Sequence, residues 1–260
     1  MISGFLSSAS VILILDEDLN IIKEIVMNIE NSTFLMTGGT AGIGKATAKI
    51  LINEGGRVAI TGRDKAKLDA VSKEIGAFAI HADASIKEDV DKTYDLFMKE
   101  FERLDCLINN AGIGGGWVEI TELDMKAFHK VYDVNVFGAA MMGSRAAQLF
   151  KKQNYGNIVN IASTAALKGY ANGTIYSSSK FALRGMTQCW QADLRKYNVR
   201  VILVNPSEVT TAFGHPQRIE RDEIPNKLRS EEIAHTVIST LKMDDRGFIP
   251  EVTIWATNPF

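Results

Sequence analysis

Apolar positions along the chain follow two alternating rhythms. Short continuous apolar runs fall at Thr33–Met36, Arg57–Thr61, Ala77–His81, Leu104–Asn109, Gly156–Ala162 and Val199–Asn205. Between them, apolar residues recur three or four apart over Gly42–Glu54, Asp64–Ile75, Ile86–Glu102, Asp124–Lys152 and Ile175–Tyr197. The first rhythm predicts strands buried on both faces; the second predicts amphipathic helices. Their alternation predicts an α/β fold, a single doubly wound domain with a central parallel sheet and helices on both faces. In such a sheet ligands gather at the carboxyl ends of the strands, so the chemistry is to be sought just after each apolar run.

Residues 1–32 stand outside this alternation and form an N-terminal extension of uncertain structure; the domain spans 33–260. Val11–Leu15 and Ile21–Val26 flank the polar stretch Asp16–Asn20, a pattern that fits a β-hairpin or one amphipathic segment equally. Every motif begins at or after Thr37 and Met27 offers a second start, so residues 1–26 are expected to be dispensable for catalysis. No apolar run approaches the roughly 20 residues of a membrane span. The balance of 29 basic against 31 acidic residues carries no basic excess that would point to nucleic acid or an anionic membrane. Cys106 and Cys189 are too few for a disulfide framework and are read as buried thiols in a reducing, cytoplasmic setting. The histidines, His81, His129, His215 and His235, lack neighbours at metal-ligand spacing, so no metal site is expected.

The first strand runs into Thr37-Gly38-Gly39-Thr40-Ala41-Gly42-Ile43-Gly44 and then a helix. Glycines let the backbone turn tightly and approach a pyrophosphate, and the helix start offers N–H groups and the positive end of its dipole. That marks a Rossmann domain binding a dinucleotide through Gly38, Thr40, Gly42, Ile43 and Gly44. The second strand ends at Thr61-Gly62-Arg63-Asp64. A carboxylate at the strand tip would take the ribose hydroxyls of NAD(H). Arg63 instead provides a donor for the 2′-phosphate of NADP(H), and Asp64 is placed to cap the next helix.

Further motifs follow in order: Asp83-Ala84 after the third strand, Asn109-Asn110-Ala111-Gly112 after the fourth, Asn135 within Val134–Gly138, Ser163 after the fifth, and Tyr176-Ser-Ser-Ser-Lys180. With the glycine turn, these resemble the short-chain dehydrogenase/reductase family over residues 33–260. The resemblance implies a nicotinamide-dependent oxidoreductase acting on a carbonyl or secondary alcohol, with Asn135, Ser163, Tyr176 and Lys180 as its catalytic residues. Tyr176 and Lys180, four apart, share a helix face. The lysine charge and the positive nicotinamide ring together favour the phenolate of a tyrosine whose ordinary pKa is about 10. Tyr176 would then exchange a proton with the substrate oxygen and Ser163 would donate to that oxygen. By the resemblance, Lys180 also holds the nicotinamide ribose and Asn135 holds a proton-relaying water. Asp83 and Ala84 contact adenine, and Asn110, Ala111 and Gly112 tie the central strands and line the cofactor. Pro206, Val209 and Thr211 meet the carboxamide.

The chain departs from the family at Ser207, where Pro-Gly is usual after the sixth strand; serine tolerates positive φ poorly. The resemblance makes 212–230 a mobile lid over the substrate. The tail Phe248–Phe260 is similar to that of 3-oxoacyl-thioester (acyl-carrier-protein) reductases, which makes an acyl thioester the leading substrate class. It also implies a homodimer or homotetramer built on the helices at 124–152 and 175–197. The rival reading is a non-catalytic NADP-sensing protein on the same fold. Such proteins usually lose the tyrosine or lysine, and both are present here.

Overall fold

The computed structural model describes residues 27–213 and 221–260; the possible hairpin of residues 1–26 lies outside them. Seven strands form one parallel sheet: β1 (Thr33–Met36), β2 (Arg57–Gly62), β3 (Phe78–His81), β4 (Cys106–Asn109), β5 (Gly156–Ile161), β6 (Val199–Pro206) and β7 (Glu251–Ile254). Their spatial order is β3-β2-β1-β4-β5-β6-β7. The order reverses direction between β1 and β4, which opens a crevice at the carboxyl ends of those two strands. The helices are α1 (Gly42–Asn53), α2 (Lys65–Ile75), α3 (Lys87–Phe101), α4 (Met125–Tyr132), α5 (Ala139–Gln153), α6 (Thr174–Leu194) and α7 (Ser230–Leu241). Two main apolar clusters, one on each face, sandwich the sheet. Ala48 and Leu51 of α1 join Ile233, Val237 and Leu241 of α7 over one face. Tyr94 and Phe97 of α3 join Met142, Ala146 and Phe150 of α5 over the other.

Three sequence expectations are revised. The single helix expected over Asp124–Lys152 is divided into α4 and α5 by a π-helical stretch, Asp133–Gly138. The α7 helix and the β7 strand were not anticipated. The N-cap of α7 is Arg229 rather than Ser, Thr, Asp or Asn, so the usual start signal is missing; Glu232 instead turns back to accept the Arg229 backbone N–H at 2.7 Å. The β7 strand is only four residues long, and its place is fixed by pairing with β6 and by Glu251, which accepts from Asn205 Nδ2 and Arg184 Nε. Cys106 is buried, but Cys189 is exposed on α6.

Met27 and Ile29 are buried in the same cluster as β1 and β2, and the Asn157 amide reaches the Met27 sulfur at 3.4 Å. This gives a test of where the fold begins. A chain started at Met27 is expected to melt within about 3 °C of the full chain and to keep its turnover. One started at Thr33 after an initiator methionine loses two buried side chains worth about 1.5–3 kcal/mol each. Its melting temperature should fall by on the order of 10 °C. Equal melting of the two shortened chains would show that residues 27–32 contribute nothing to the core.

Candidate active site

The glycine turn sits at the crevice between β1 and β4. Gly38 and Gly42 have φ of +66° and +51°, backbone that L side chains rarely adopt. Gly44 is required for a different reason: a Cβ there would lie 2.4 Å from Gly38 O and 2.5 Å from Asn110 Nδ2. Asn110 locks this turn to β4 by donating to Thr37 O at 3.0 Å and Gly38 O at 2.9 Å. The Thr37 hydroxyl in turn accepts the N–H groups of Asn110 and Ala111. Ala41 caps α1 without a side-chain acceptor, and the first turn of α1 holds no carboxylate. An anion can approach that helix start without meeting a competing negative charge. The backbone here fits a pyrophosphate.

A cavity of about 830 Å³ opens over this turn. Gly38, Thr40, Gly42 and Ile43 form its floor, with Arg63, Asp83 and Ala84 toward the β2–β3 end. Asn110, Ala111 and Gly112 line its middle; Ser163, Tyr176 and Lys180 stand beyond them, with Pro206, Val209 and Thr211 opposite. Gly44 and Asn135 are not on its surface. Lys67, Lys168, Tyr170, Phe213 and Trp255 are, and sequence reasoning did not single them out as site residues. They sit on segments without a motif, or beside a strand that was not anticipated.

Arg63 lies 3.5 Å from Asp83 in a half-exposed ion pair. Burial pushes the Asp83 carboxyl up, but hydrogen bonds from Ser85 and the charge of Arg63 outweigh it and hold the group below its usual range. Asp64 caps α2, accepting the Lys67 N–H at 3.0 Å. Ser207 takes no positive φ; among the described residues that backbone occurs, outside glycine, at Asn31, Glu102, Asn154, Asn172 and Asn198. Ser207 prolongs the β6–β7 pairing by donating its N–H to Ile254 O at 2.9 Å, so serine is accommodated without strain. The expected lid at 212–230 falls partly outside the described residues. Within its described part, Arg221 donates to the carbonyls of Thr211 and Val209.

Tyr176 and Lys180 occupy one face of α6, with Lys180 Nζ 5.8 Å from the Tyr176 ring centre. Lys180 is fully enclosed and donates to Ile161 O at 2.9 Å. Burial, which penalises its charge, brings its pKa down to about 8. The Tyr176 hydroxyl is pushed up, above the ordinary range, because burial disfavours the phenolate; the hydrogen bond with Ser163 opposes this, and Tyr170 adds to it. In the chain without nicotinamide, desolvation therefore dominates the Tyr176 hydroxyl.

Asn135 stands in the π-helical stretch. Its Oδ1 accepts from Ile113 N at 2.8 Å, and its Nδ2 donates to Ile113 O at 2.9 Å and Ser179 Oγ at 3.0 Å. Ser179 donates onward to Tyr176 O, so the amide ties the β4 loop to the catalytic face of α6. A Cβ on Gly112 would stand 3.4 Å from Asn135 Oδ1 and 3.6 Å from Lys180 Nζ; the missing side chain keeps both groups close to the cavity's middle.

Comparison with known proteins agrees with this geometry. The short chain dehydrogenase family profile matches residues 32–222. Xanthoxin dehydrogenase of Arabidopsis thaliana is 34% identical over 200 residues, 73% of this chain and 70% of the relative. Zerumbone synthase of Zingiber zerumbet is 31% identical over 208 residues, 78% of each chain. Among solved structures, a 3-ketoacyl-(acyl-carrier-protein) reductase from Brucella melitensis complexed with NADH superposes with a TM-score of 0.80 at 27% identity, covering 89% of this chain and 100% of that one. A metagenomic short-chain oxidoreductase in complex with NADP gives 0.76, also at 27%, over 87% and 97%. With the profile spanning most of the chain and the glycine turn, Ser163, Tyr176 and Lys180 gathered on one cavity, this chain belongs to the short-chain dehydrogenase family and is an oxidoreductase.

Proposed function

We propose that the chain reduces a carbonyl compound with NADPH, or runs the reverse oxidation of a secondary alcohol, at the cavity over the glycine turn. The observation that carries this reading is the meeting of the glycine cradle with Ser163, Tyr176 and Lys180 on one cavity wall. When bound, the nicotinamide supplies or accepts the hydride. The rest falls to the chain. The Ser163 hydroxyl donates to the substrate oxygen and stabilises the negative charge that grows there on reduction. Tyr176 passes its phenolic proton to that oxygen, and in oxidation takes it back. Lys180, held on Ile161 O, adds positive charge that eases formation of the phenolate. Asn135 positions the α6 face through Ser179.

NADP(H) is favoured over NAD(H) by the charges at the β2 end. Arg63 and Lys67 both face the cavity, and no carboxylate replaces Gly62 at the strand tip. A charge-assisted contact is worth about 1.5–3 kcal/mol, roughly 10- to 150-fold. Arg63→Ala should therefore raise KM for NADPH by that range and change KM for NADH little. Equal changes for both cofactors would remove Arg63 from 2′-phosphate recognition. The overall reading is tested by following NADPH and NADH consumption against a panel of ketones, aldehydes and thioesters; no turnover with either cofactor would overturn it.

The acyl thioester expected from the tail, the substrate class named for the Brucella reductase, is one of the two classes that the substrate comparison below sets against each other. A homodimer or homotetramer would pair through α5 and α6; on α6, Phe181 and Cys189 are open to solvent. A mass by light scattering equal to one chain would exclude both assemblies.

A further inference from the structure

The cavity continues past Tyr176 to a mouth built from the carboxyl ends of strands on one half of the sheet. Three aromatic side chains line it, Tyr170, Phe213 and Trp255, each from a different connection, and a fourth, Trp117, stands behind Tyr170. Trp117 follows β4, Tyr170 follows β5, Phe213 follows β6 and Trp255 follows β7. Phe213 packs on the Tyr176 ring, centres 5.5 Å apart, and an added Cβ on Gly114 would meet its edge at 3.8 Å. Trp117 backs Tyr170 from outside at 5.3 Å, and the two connections are joined by Val118 N donating to Asn172 O. Tyr170 lies over Gly173, where any Cβ would strike its ring. Tyr170 and Phe213 are braced by these neighbours, yet Tyr170 is 42% exposed and Phe213 41%, with Trp255 at 64% and Trp117 at 77%. Large apolar faces held open to water on a pocket rim mark a surface completed by a ligand.

We infer that this aromatic collar selects a rigid, apolar, polycyclic ketone or its secondary alcohol, in preference to a carrier-borne acyl thioester or a sugar; the inference rests on the redox reading above. Tyr170, Phe213 and Trp255 line the cavity from three separate segments, a shape that receives a broad ring system lying against two faces at once. A flexible chain would have to give up its rotational freedom there, whereas a ring body has little to lose. A sugar needs several converging polar partners, whereas Ile113, Ala165, Tyr170, Phe213 and Trp255 line the cavity beside Thr164, Lys168 and Glu208. An acidic carrier protein would need a basic surround. Here Glu208 lines the cavity paired with Lys227, and Arg221 is engaged with backbone carbonyls. Lys168 is left as the rim cation without a carboxylate partner among the described residues.

The test uses the full chain with 2-decalone, cyclohexanone and acetoacetyl-coenzyme A. NADPH and NADH consumption are followed with each, and 2-decalone binding is read separately from tryptophan fluorescence, with and without NADP⁺. The kcat/KM for 2-decalone should exceed those for cyclohexanone and the thioester by about tenfold or more. Tyr170→Ala and Trp255→Ala should each cut the decalone-to-cyclohexanone ratio by roughly fivefold, while Tyr170→Phe should keep it, because the ring and not the hydroxyl forms the wall. A preference for the thioester, or a ratio that neither alanine moves, overturns the collar and leaves the redox reading standing. Decalone binding with no turnover of any carbonyl by either cofactor keeps the collar and overturns the redox reading. Neither binding nor turnover of decalone, with the other two inert as well, overturns both.

Discussion

Tyr176→Phe is expected to lower kcat for carbonyl reduction by about 10²- to 10⁴-fold, the usual worth of general acid–base catalysis, while the protein stays folded. The ring remains, so its packing on Phe213 survives, and only the hydroxyl that meets Ser163 is lost. NADPH should still bind, measurable by fluorescence titration, because the glycine turn and Arg63 are untouched. The pH profile separates chemistry from packing. Reduction needs the protonated phenol, so its rate is present at low pH and fades as pH rises through the tyrosine pKa. Oxidation needs the phenolate and follows the opposite limb. Burial places that limb high in the cofactor-free chain; in Tyr176→Phe the limb should vanish from both directions. Near-normal turnover of a good carbonyl substrate by this variant would rule out Tyr176 as the proton donor.

Lys180→Met should slow turnover nearly as much, and most of all in alcohol oxidation below about pH 8, where Lys180 carries the positive charge that favours the phenolate of the nearby Tyr176. It also makes a stability prediction of defined sign. Lys180 has a folded pKa of about 8 against an ordinary 10.5, so between those values the unfolded chain binds more protons than the folded one. Wild-type stability should therefore rise as pH climbs from about 8 to 10.5, relative to Lys180→Met. The gain should be on the order of 3 kcal/mol across the window. Parallel denaturant midpoints for the two proteins throughout that range would mean that Lys180 is not buried in its charged form's unfavourable surroundings. Unchanged oxidation kinetics with lowered stability would reduce the residue to a brace for α6.

The parts of this molecule that were legible in the sequence are those set by local chemistry. Six of the strands announce themselves as apolar runs, and Asp64 was readable as a cap because an N-cap needs only its own side chain and the next few N–H groups. The glycine turn was readable because its spacing alone dictates a tight backbone. What stayed hidden depends on distant partners. The β7 strand exists because β6 offers an edge and Asn205 and Arg184 receive Glu251. The φ of Ser207 is set by Ile254, a residue of that same strand. The depth of Lys180, and with it the direction of the Tyr176 shift, follows from how the sheet, α6 and the β4 loop close around the pair. Aromatic residues at the mouth carry no motif, since any loop can hold a tryptophan; only the meeting of strand ends brings Tyr170, Phe213 and Trp255 to one cavity.

The π-helical stretch at Asp133–Gly138 works as a phase joint in a rod. Just before it and in its first turn, Val131 and Val134 point into a small cluster with Ile113 and Ile175. After it, Met142, Ala146 and Phe150 point into the cluster beneath the sheet. A continuous α-helix advances by about 100° per residue, so one residue more or less between the two halves turns one half against the other by that angle. The wide turn absorbs the mismatch between two rotational settings. A deletion of one residue inside 133–138 would restore regular α spacing and leave the rod with a single phase. Either the Asn135 amide would swing away from Ile113, or Phe150 would swing out of the core. Substitutions on the outer face can drift freely in this region, but its length is fixed.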